Sequence, residues 1–266
     1  MNKINESEAI DLITSVYSFL NIQKDLSPNN HEVSERVNDL EKKLCQTEFE
    51  DEFYKNVLEN EKIRSILTPL RNLLQLVEFE LENFWANLLI NQETFSTVPM
   101  RKFLFCKDYY HLLNHENELI ESLNLKDPKI VFIGSGPLPI SSIILKKNKN
   151  YDLTLIDKDK DALELSKKLC DKLELKFNFI HCDAINGDYK NYDIIFIASM
   201  VTPKLDLVKK LYDDKLKYIL IRDAKGFSQL FYEKLDDDIF KYYKIIKQTH
   251  SHGESINNTY LLERIE

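Results

Sequence analysis

The chain has 266 residues, 43% hydrophobic and 30% charged, a balance that supports a buried core and lies far from the composition of a disordered chain; its length suits two ordinary domains. With 36 basic against 44 acidic residues the net charge is −8, the wrong sign for a protein that gains affinity by displacing counterions, so nucleic acid is not an expected partner. No run approaches the roughly 18 apolar residues that span a bilayer, and Met1 to Glu8 has no basic-then-apolar leader, so a soluble cytoplasmic protein with no membrane partner is expected.

From Ile4 to about Asn124 apolar residues recur at spacings of three and four, as in Leu73, Val77, Leu81, Trp85 and Leu88. This predicts an all-helical first half. Breaks are expected at Leu26 to Asn30, near Gln46-Thr47, near Thr68-Pro69 and at Ser96 to Pro99, because proline and cap-forming residues end periodic stretches; five or six helices result. Glu82 falls on the flank of the apolar stripe through Val77, Leu81 and Trp85, where periodicity alone favours a solvated face over a cavity between the domains. The aromatic-rich Phe103 to Tyr110 segment reads as helix-packing side chains.

After Lys126-Asp127-Pro128 the pattern changes. Short apolar runs at Lys129 to Ile133, Leu153 to Ile156, Phe177 to Ile180, Ile194 to Ile197 and Tyr218 to Ile221 alternate with helical stretches, which predicts a parallel sheet with crossover helices. Two further runs, Tyr243 to Thr249 and Thr259 to Arg264, leave no room for a helix between them and are expected to form a terminal antiparallel hairpin. The expected architecture is therefore α/β: an all-helical domain over residues 1–127, followed by a Rossmann-like domain over 128–266. Five alternating strands closed by a hairpin is the class I methyltransferase-like layout of many S-adenosylmethionine enzymes, whereas a dinucleotide fold would continue with another helix.

Only five glycines occur, two of them in Gly134-Ser135-Gly136-Pro137-Leu138-Pro139, directly after the first expected strand. Glycine is wanted there because a Cβ would block close approach of the backbone to a ligand. The third glycine of the dinucleotide fingerprint is replaced by Pro139, and Pro137 removes a donor, so a pyrophosphate cradle is disfavoured. Asp157, 23 residues after Gly134 at the end of the second strand, is placed to accept the ribose hydroxyls of an adenosine. Asp183 with Ala184, and Ala198 with Ser199, follow the third and fourth strands, where open α/β sheets bind ligands; they are assigned to the adenine and the amino-acid part respectively.

Metal chelation is not expected. Cys45, Cys106, Cys170 and Cys182 are scattered and read as reduced thiols. His181-Cys182-Asp183 would alternate between faces of a strand, and His250 and His252 read as surface loop residues.

Val131 to Ile140, with its glycine-proline turn, closely resembles the corresponding turn of the nicotianamine synthases. Leu81-Glu82-Asn83-Phe84-Trp85 is similar to that family's Leu-Glu followed by two polar or small positions and an aromatic, and Asp108-Tyr109-Tyr110-His111-Leu112 to its Asn-Tyr-Leu-x-Leu. Ile256-Asn257-Asn258 resembles its Ile-Asn-Ser, and Leu26-Ser27-Pro28 with Val37-Asn38 its N-terminal helices, so the likeness is nearly full length. One departure stands out: where the family has Gly-x-Arg before Leu-Tyr, this chain has Gly226-Phe227-Ser228, so the acceptor cannot be carried over from the plant enzymes.

The resemblance implies transfer of the 3-amino-3-carboxypropyl (aminobutyrate) group of S-adenosylmethionine to an amine or amino acid, with release of methylthioadenosine and no catalytic metal. The product would be a nicotianamine-like metal chelator. It also implies Glu82 as the group that takes the amine proton, Tyr109 as the hydroxyl that orients the amine or relays its proton, and Arg222 and Asn257 as substrate-side contacts. An ordinary small-molecule methyltransferase remains the alternative, since the glycine turn, Asp157 and the hairpin permit it equally. A binding module without turnover is a third reading.

Overall fold

The computed structural model describes residues 4–92, 106–149, 151–249 and 257–266, with the side chains of the second stretch described from 112 onward. The first half supplies α1 (Glu6–Leu20), α2 (His31–Leu40) running into a π-helical turn (Glu41–Cys45), α3 (Asp51–Leu58), α4 (Glu61–Ile90) and α5 (Cys106–Glu121). Helix α1 begins with a reciprocal cap: Asn5 Oδ1 accepts from Glu8 N–H and Glu8 Oε2 accepts from Asn5 N–H, satisfying two donors the helix itself leaves open. Ser96 to Pro99 lies outside the described residues, as does the breakpoint expected there.

The break expected at Thr68-Pro69 does not occur. Pro69 sits inside the 30-residue helix α4, although interior proline costs a helix roughly 3 kcal/mol. The packing around it offsets that cost: Ile63, Leu70, Leu74, Val77, Leu81, Trp85, Ala86 and Leu89 are all buried. Anchors on the next turns hold the helix in place, with Arg71 donating through Nε and an Nη to Gln229 O at 3.1 and 2.7 Å and Gln75 donating to Phe231 O at 3.0 Å. At the far end Lys172 Nζ donates to the carbonyl of Ile90, one of those a helix C-terminus leaves without an internal partner, and to that of Gln92 just beyond the helix.

The second half supplies β1 (Lys129–Ile133), α6 (Ile140–Lys149), β2 (Asp152–Asp157), α7 (Lys160–Lys172), β3 (Asn178–His181), β4 (Ile194–Ile197), α8 (Lys204–Asp213), β5 (Tyr218–Asp223), β6 (Tyr243–Gln248) and β7 (Asn258–Arg264). They form one seven-stranded sheet in the order β3-β2-β1-β4-β5-β7-β6. Strands β1 to β5 are parallel, β7 runs antiparallel to β5 and β6 antiparallel to β7. All four residues of β4 and the last four of β1 are buried, as strands covered by helices on both faces must be.

The strand order reverses between β1 and β4, and the carboxyl ends of those neighbours open the crevice in which such sheets take ligands. Helix α4 closes it from above. The apolar core of the helical half is continuous with Leu138, Ile140, Ile144, Leu169, Phe227 and Leu230 of the sheet half, so α4 is fixed to the sheet by packing and not merely tethered. Among the described residues no helix is long and apolar enough to cross a membrane.

Candidate active site

Beyond Ile133 the chain turns sharply, with Gly134 at φ +78° and Gly136 at φ +64°. Both are in the left-handed region that side chains avoid. A Cβ on Gly134 would lie 2.6 Å from Val201 Cγ2, and one on Gly136 would lie 2.6 Å from Glu82 Oε2. Glycine at 136 is therefore what lets the carboxyl of a helix from the other half of the chain approach the turn. The turn is held to β2 by backbone bonds from Gly134 N–H and Ser135 N–H to Ile156 O at 2.8 and 3.2 Å.

Asp157 completes it. Its Oδ2 accepts from Gly136 N–H at 2.8 Å and its Oδ1 from Asp159 N–H at 2.9 Å, so the half-buried carboxylate is aimed by two backbone donors at the mouth of the crevice.

These elements enclose a cavity of about 270 Å³. Its wall brings together Gly134, Ser135, Gly136, Asp157, Asp183, Ala184, Ala198, Ser199, Arg222 and Glu82, all singled out from sequence. Pro137 is buried behind the turn and is not on the wall. Asn257 is also behind it, buried, where its Oδ1 accepts from Ser199 Oγ at 2.9 Å. The side chain of Tyr109 lies outside the described residues, as do His250, His252 and Ile256.

Glu82 is not on a solvated face, as its periodicity suggested. It is 7% exposed, and its Oε2 has no hydrogen-bond partner among the described residues. Burial pushes its carboxyl well above the ordinary range, with the nearby charges of Glu78 and Asp157 adding to the rise and Arg222 working against it. Ser135 Oγ, on the same wall, is likewise buried without a partner among the described residues. Two orphaned polar atoms on residues of one cavity wall mark a place where a polar ligand would find partners.

Glu78 was missed by the sequence reading. One turn before Glu82, it is also buried on the cavity wall, and its Oε2 accepts from Tyr232 Oη at 2.7 Å. The four-residue spacing, which puts both carboxyls on one helix face, was the available signal.

Arg222 reaches the wall, but its guanidinium is committed elsewhere. Nε and one Nη donate to the two oxygens of Glu116 at 2.9 Å each, that same Nη donates to Ser141 Oγ at 2.9 Å, and the group lies over the rings of Phe132 and Phe196. Glu116 also accepts from Thr259 Oγ1. The sequence reading gave Arg222 to the substrate; the structure shows it first as the clasp that ties α5 to β5 and β7. Close by, Lys204 Nζ donates to Ser199 O at 2.8 Å, with its pKa pulled down to about 8 by burial. Asp223 accepts from the N–H groups of Ala224 and Leu235 at 2.8 Å each, its carboxyl raised by burial.

His181 and Cys182 diverge where β3 ends: Cys182 lies on the wall, its thiol pushed up by burial, whereas His181 Nε2 is 3.0 Å from Lys158 O. Among the described residues no three His, Cys, Asp or Glu side chains gather as a metal site. Ser228, the departure noted in sequence, is buried in the short helical segment Gly226–Leu230, whose Gln229 carbonyl is the one Arg71 holds.

Helix α4 laid across the ligand end of the sheet is a fold shared with other proteins. MtNAS superposes with a TM-score of 0.81 and 20% identity, over 97% of this chain and 98% of that one, in a glutamine-for-glutamate variant in complex with S-adenosylmethionine; it superposes as well in a complex with MTA and tNA, over 96% and 98%. The magnesium protoporphyrin IX methyltransferase of Synechocystis, with bound SAM, shares the sheet more loosely, at a TM-score of 0.51 over 75% of this chain and 97% of that one, 11% identical. In sequence, the nicotianamine synthase of Solanum lycopersicum is 25% identical over 222 residues, 77% of this chain and 69% of that protein. Nicotianamine synthase 3 of Arabidopsis thaliana is 23% identical over 97% of this chain and 84% of its own length. The pattern of nicotianamine synthase proteins runs through residues 2–266, from α1 to β7, so the glycine turn and the helix that bears Glu82 are parts of a single inherited unit: the chain belongs to the nicotianamine synthase family.

Proposed function

We propose that this chain transfers the aminobutyrate group of S-adenosylmethionine to an amine, in a Rossmann-like, class I methyltransferase-like sheet domain (128–266) covered by the helical domain (1–127). The observation that carries this reading is Glu82: a buried carboxyl, one oxygen unpartnered among the described residues, held against the glycine turn of a nucleoside-type crevice. Transfer to a nitrogen that is already unprotonated needs a shaped pocket; transfer to an amino-acid ammonium needs in addition a group that removes a proton, since the α-amine is largely protonated near pH 7.

In this reading Asp157 accepts the ribose hydroxyls, Asp183 and Ala184 flank the adenine, and Ala198 and Ser199 meet the amino-acid part, with Asn257 holding the Ser199 hydroxyl in place. The glycines of the turn shape the floor, with Pro137 packed behind them. Glu82 takes the proton from the acceptor ammonium, with Tyr109 as the hydroxyl that orients it. The freed nitrogen bonds to Cγ of the donor as the Cγ–S bond breaks and its electron pair returns to sulfur. The sulfonium brings its own activated leaving group, so the displacement calls for no Lewis acid. Placement of nitrogen in line with that bond selects the carbon chain over the methyl, and placement alone can supply much of the rate. The product is a small metal-chelating amino acid of the nicotianamine type, made in the cytoplasm.

The test is the nucleoside released. Incubation with S-adenosylmethionine and a panel of amino acids, read by mass spectrometry, is expected to give methylthioadenosine and an acceptor heavier by one aminobutyrate. S-adenosylhomocysteine with a methylated acceptor would overturn the reading in favour of a methyltransferase.

A further inference from the structure

Glu82 poses a problem for its own role. A carboxyl buried beside a second carboxyl tends to hold a proton, and a protonated carboxyl cannot accept one. Glu78 and Glu82 lie one helical turn apart, both line the cavity, and both are buried. They are not equivalent: Glu78 accepts from the Tyr232 hydroxyl at 2.7 Å, a bond that favours its anion, whereas Glu82 Oε2 has no partner among the described residues. Of the other charged groups facing Glu82, Asp157 comes from β2 and Arg222 from β5, the latter spent largely on Glu116; Lys158, Asp159, Cys182 and Asp183 line the remaining wall. Burial raises the Glu82 carboxyl and the charge of Glu78 adds to the rise, so Glu82 is the member of the pair pushed toward its neutral form.

Resting on the base reading of Glu82, we propose that Glu78 is a positioning residue whose anion, fixed by Tyr232, keeps the proton on Glu82 in the empty cavity, and that the positive sulfonium of the entering donor expels that proton to solvent. The step balances: Glu82 loses one proton to water on donor binding and regains one from the acceptor ammonium during transfer. The base is thereby armed only after the donor is seated. A neutral thioether of the same shape has no charge with which to expel the proton, so the cavity distinguishes the sulfonium donor from such a thioether by charge as well as by fit.

The experiment needs no acceptor. Calorimetry of S-adenosylmethionine binding to the full chain at pH 6, where ligand α-amines are protonated, in buffers of different ionisation enthalpy, is expected to show about one proton released beyond that seen with S-adenosylhomocysteine. Affinity for the sulfonium is expected to rise with pH through the titration of the pair, and affinity for the thioether to stay level. Glu78→Gln, which deletes the neighbouring charge, is expected to reduce the release and move that rise to lower pH by about one unit. Glu78→Asp, which keeps the charge, should restore both. Equal proton release with the two ligands would overturn the proposal on the unaltered protein alone, even if Glu78→Gln fails to fold. A folded Glu78→Gln that binds donor with the unaltered pH dependence would overturn it too. The base reading fails separately: if Glu82→Gln abolishes the excess proton release yet turns over at the full rate, the pair holds the proton but Glu82 is not the base.

Discussion

The two ends of the cavity are built by opposite means. At the sheet end, Asp157 is half-buried and both of its oxygens accept from backbone N–H groups two residues or fewer from a glycine turn or from itself. At the helical end, Glu82 is delivered from a helix more than fifty residues earlier in the chain, is buried, and carries an oxygen with no partner among the described residues. A carboxyl whose lone pairs are aimed by the backbone is suited to recognise a fixed pattern of hydroxyls. One left unsatisfied in a low-dielectric place is suited to hold and give up a proton. In the proposed reading, recognition of the nucleoside hydroxyls and proton transfer thus fall to different halves of the chain, and substitutions at the two ends should fail in different ways.

Glu82→Gln tests that division most severely. Transfer is expected to fall by at least about a hundredfold, the usual scale for removing a general base, while donor affinity loses only its rise with pH; methylthioadenosine formation and calorimetry read the two quantities separately. The same variant should be more stable than the unaltered protein at pH 8. A carboxyl whose proton affinity is raised on folding contributes stability that is fully present below its unfolded pKa and lost as pH rises through the folded value. Thermal melts should therefore show an advantage for glutamine that shrinks toward pH 4.5. An equal or lower melting temperature at pH 8 would mean that Glu82 is not under the strain its burial implies.

Glu116→Gln tests what holds the helical end in place. It leaves the Arg222 guanidinium, itself 4% exposed, without the carboxylate that takes two of its hydrogen bonds. Breaking a buried ion pair from one side costs about 3–5 kcal/mol, to be read from urea denaturation. A loss under about 1 kcal/mol, the size of a surface pair, would show that Arg222 is held mainly by Ser141 and the rings of Phe132 and Phe196.

The sheet was legible because its signal is local. Strands β1 and β4 fall at the positions their apolar runs indicated, since four or five consecutive buried residues bounded by polar ones leave few alternatives, and the glycine turn with Asp157 reads off a spacing within one βαβ unit. What was not legible depends on contacts distant in sequence. Periodicity sorts helix α4 into one apolar stripe and one wet face, but α4 is covered on two sides, by the helical core and by the crevice, so Glu78 and Glu82 are buried on a flank that looks exposed. Pro69 reads as a stop because the packing that outweighs it, Arg71 and Gln75 on the 229–231 carbonyls included, comes from more than 150 residues away. Only the family resemblance assigns Arg222 to the substrate; its partner Glu116 is 106 positions earlier, beyond the reach of any local pattern.

Asp157→Asn probes the sheet end. An amide keeps the shape but turns one acceptor into a donor, facing the N–H of Gly136 or of Asp159. A hydrogen bond to a charged group is worth about 1.5–3 kcal/mol, so S-adenosylmethionine affinity should fall roughly tenfold to a hundredfold, with turnover at saturating donor little changed. A fall in turnover with affinity intact would reverse the assignment of binding to this end and proton transfer to the other.

The smallest effect belongs to the join between the two halves. Lys172 of α7 donates to the Ile90 and Gln92 carbonyls, placing a cation at the negative end of the helix that bears Glu82. Lys172→Met keeps the aliphatic stem and removes the charge and the donors. It is expected to cost about 0.3–1 kcal/mol of stability in denaturant and to leave donor affinity unchanged, because the packing of Leu74, Val77 and Leu81 holds the Glu82 turn of α4 independently of its last turn. A drop in transfer rate larger than the loss of stability explains would show that the position of Glu82 is set from the end of its helix, and the two ends of the cavity would then be coupled through α7 more tightly than their separate construction suggests.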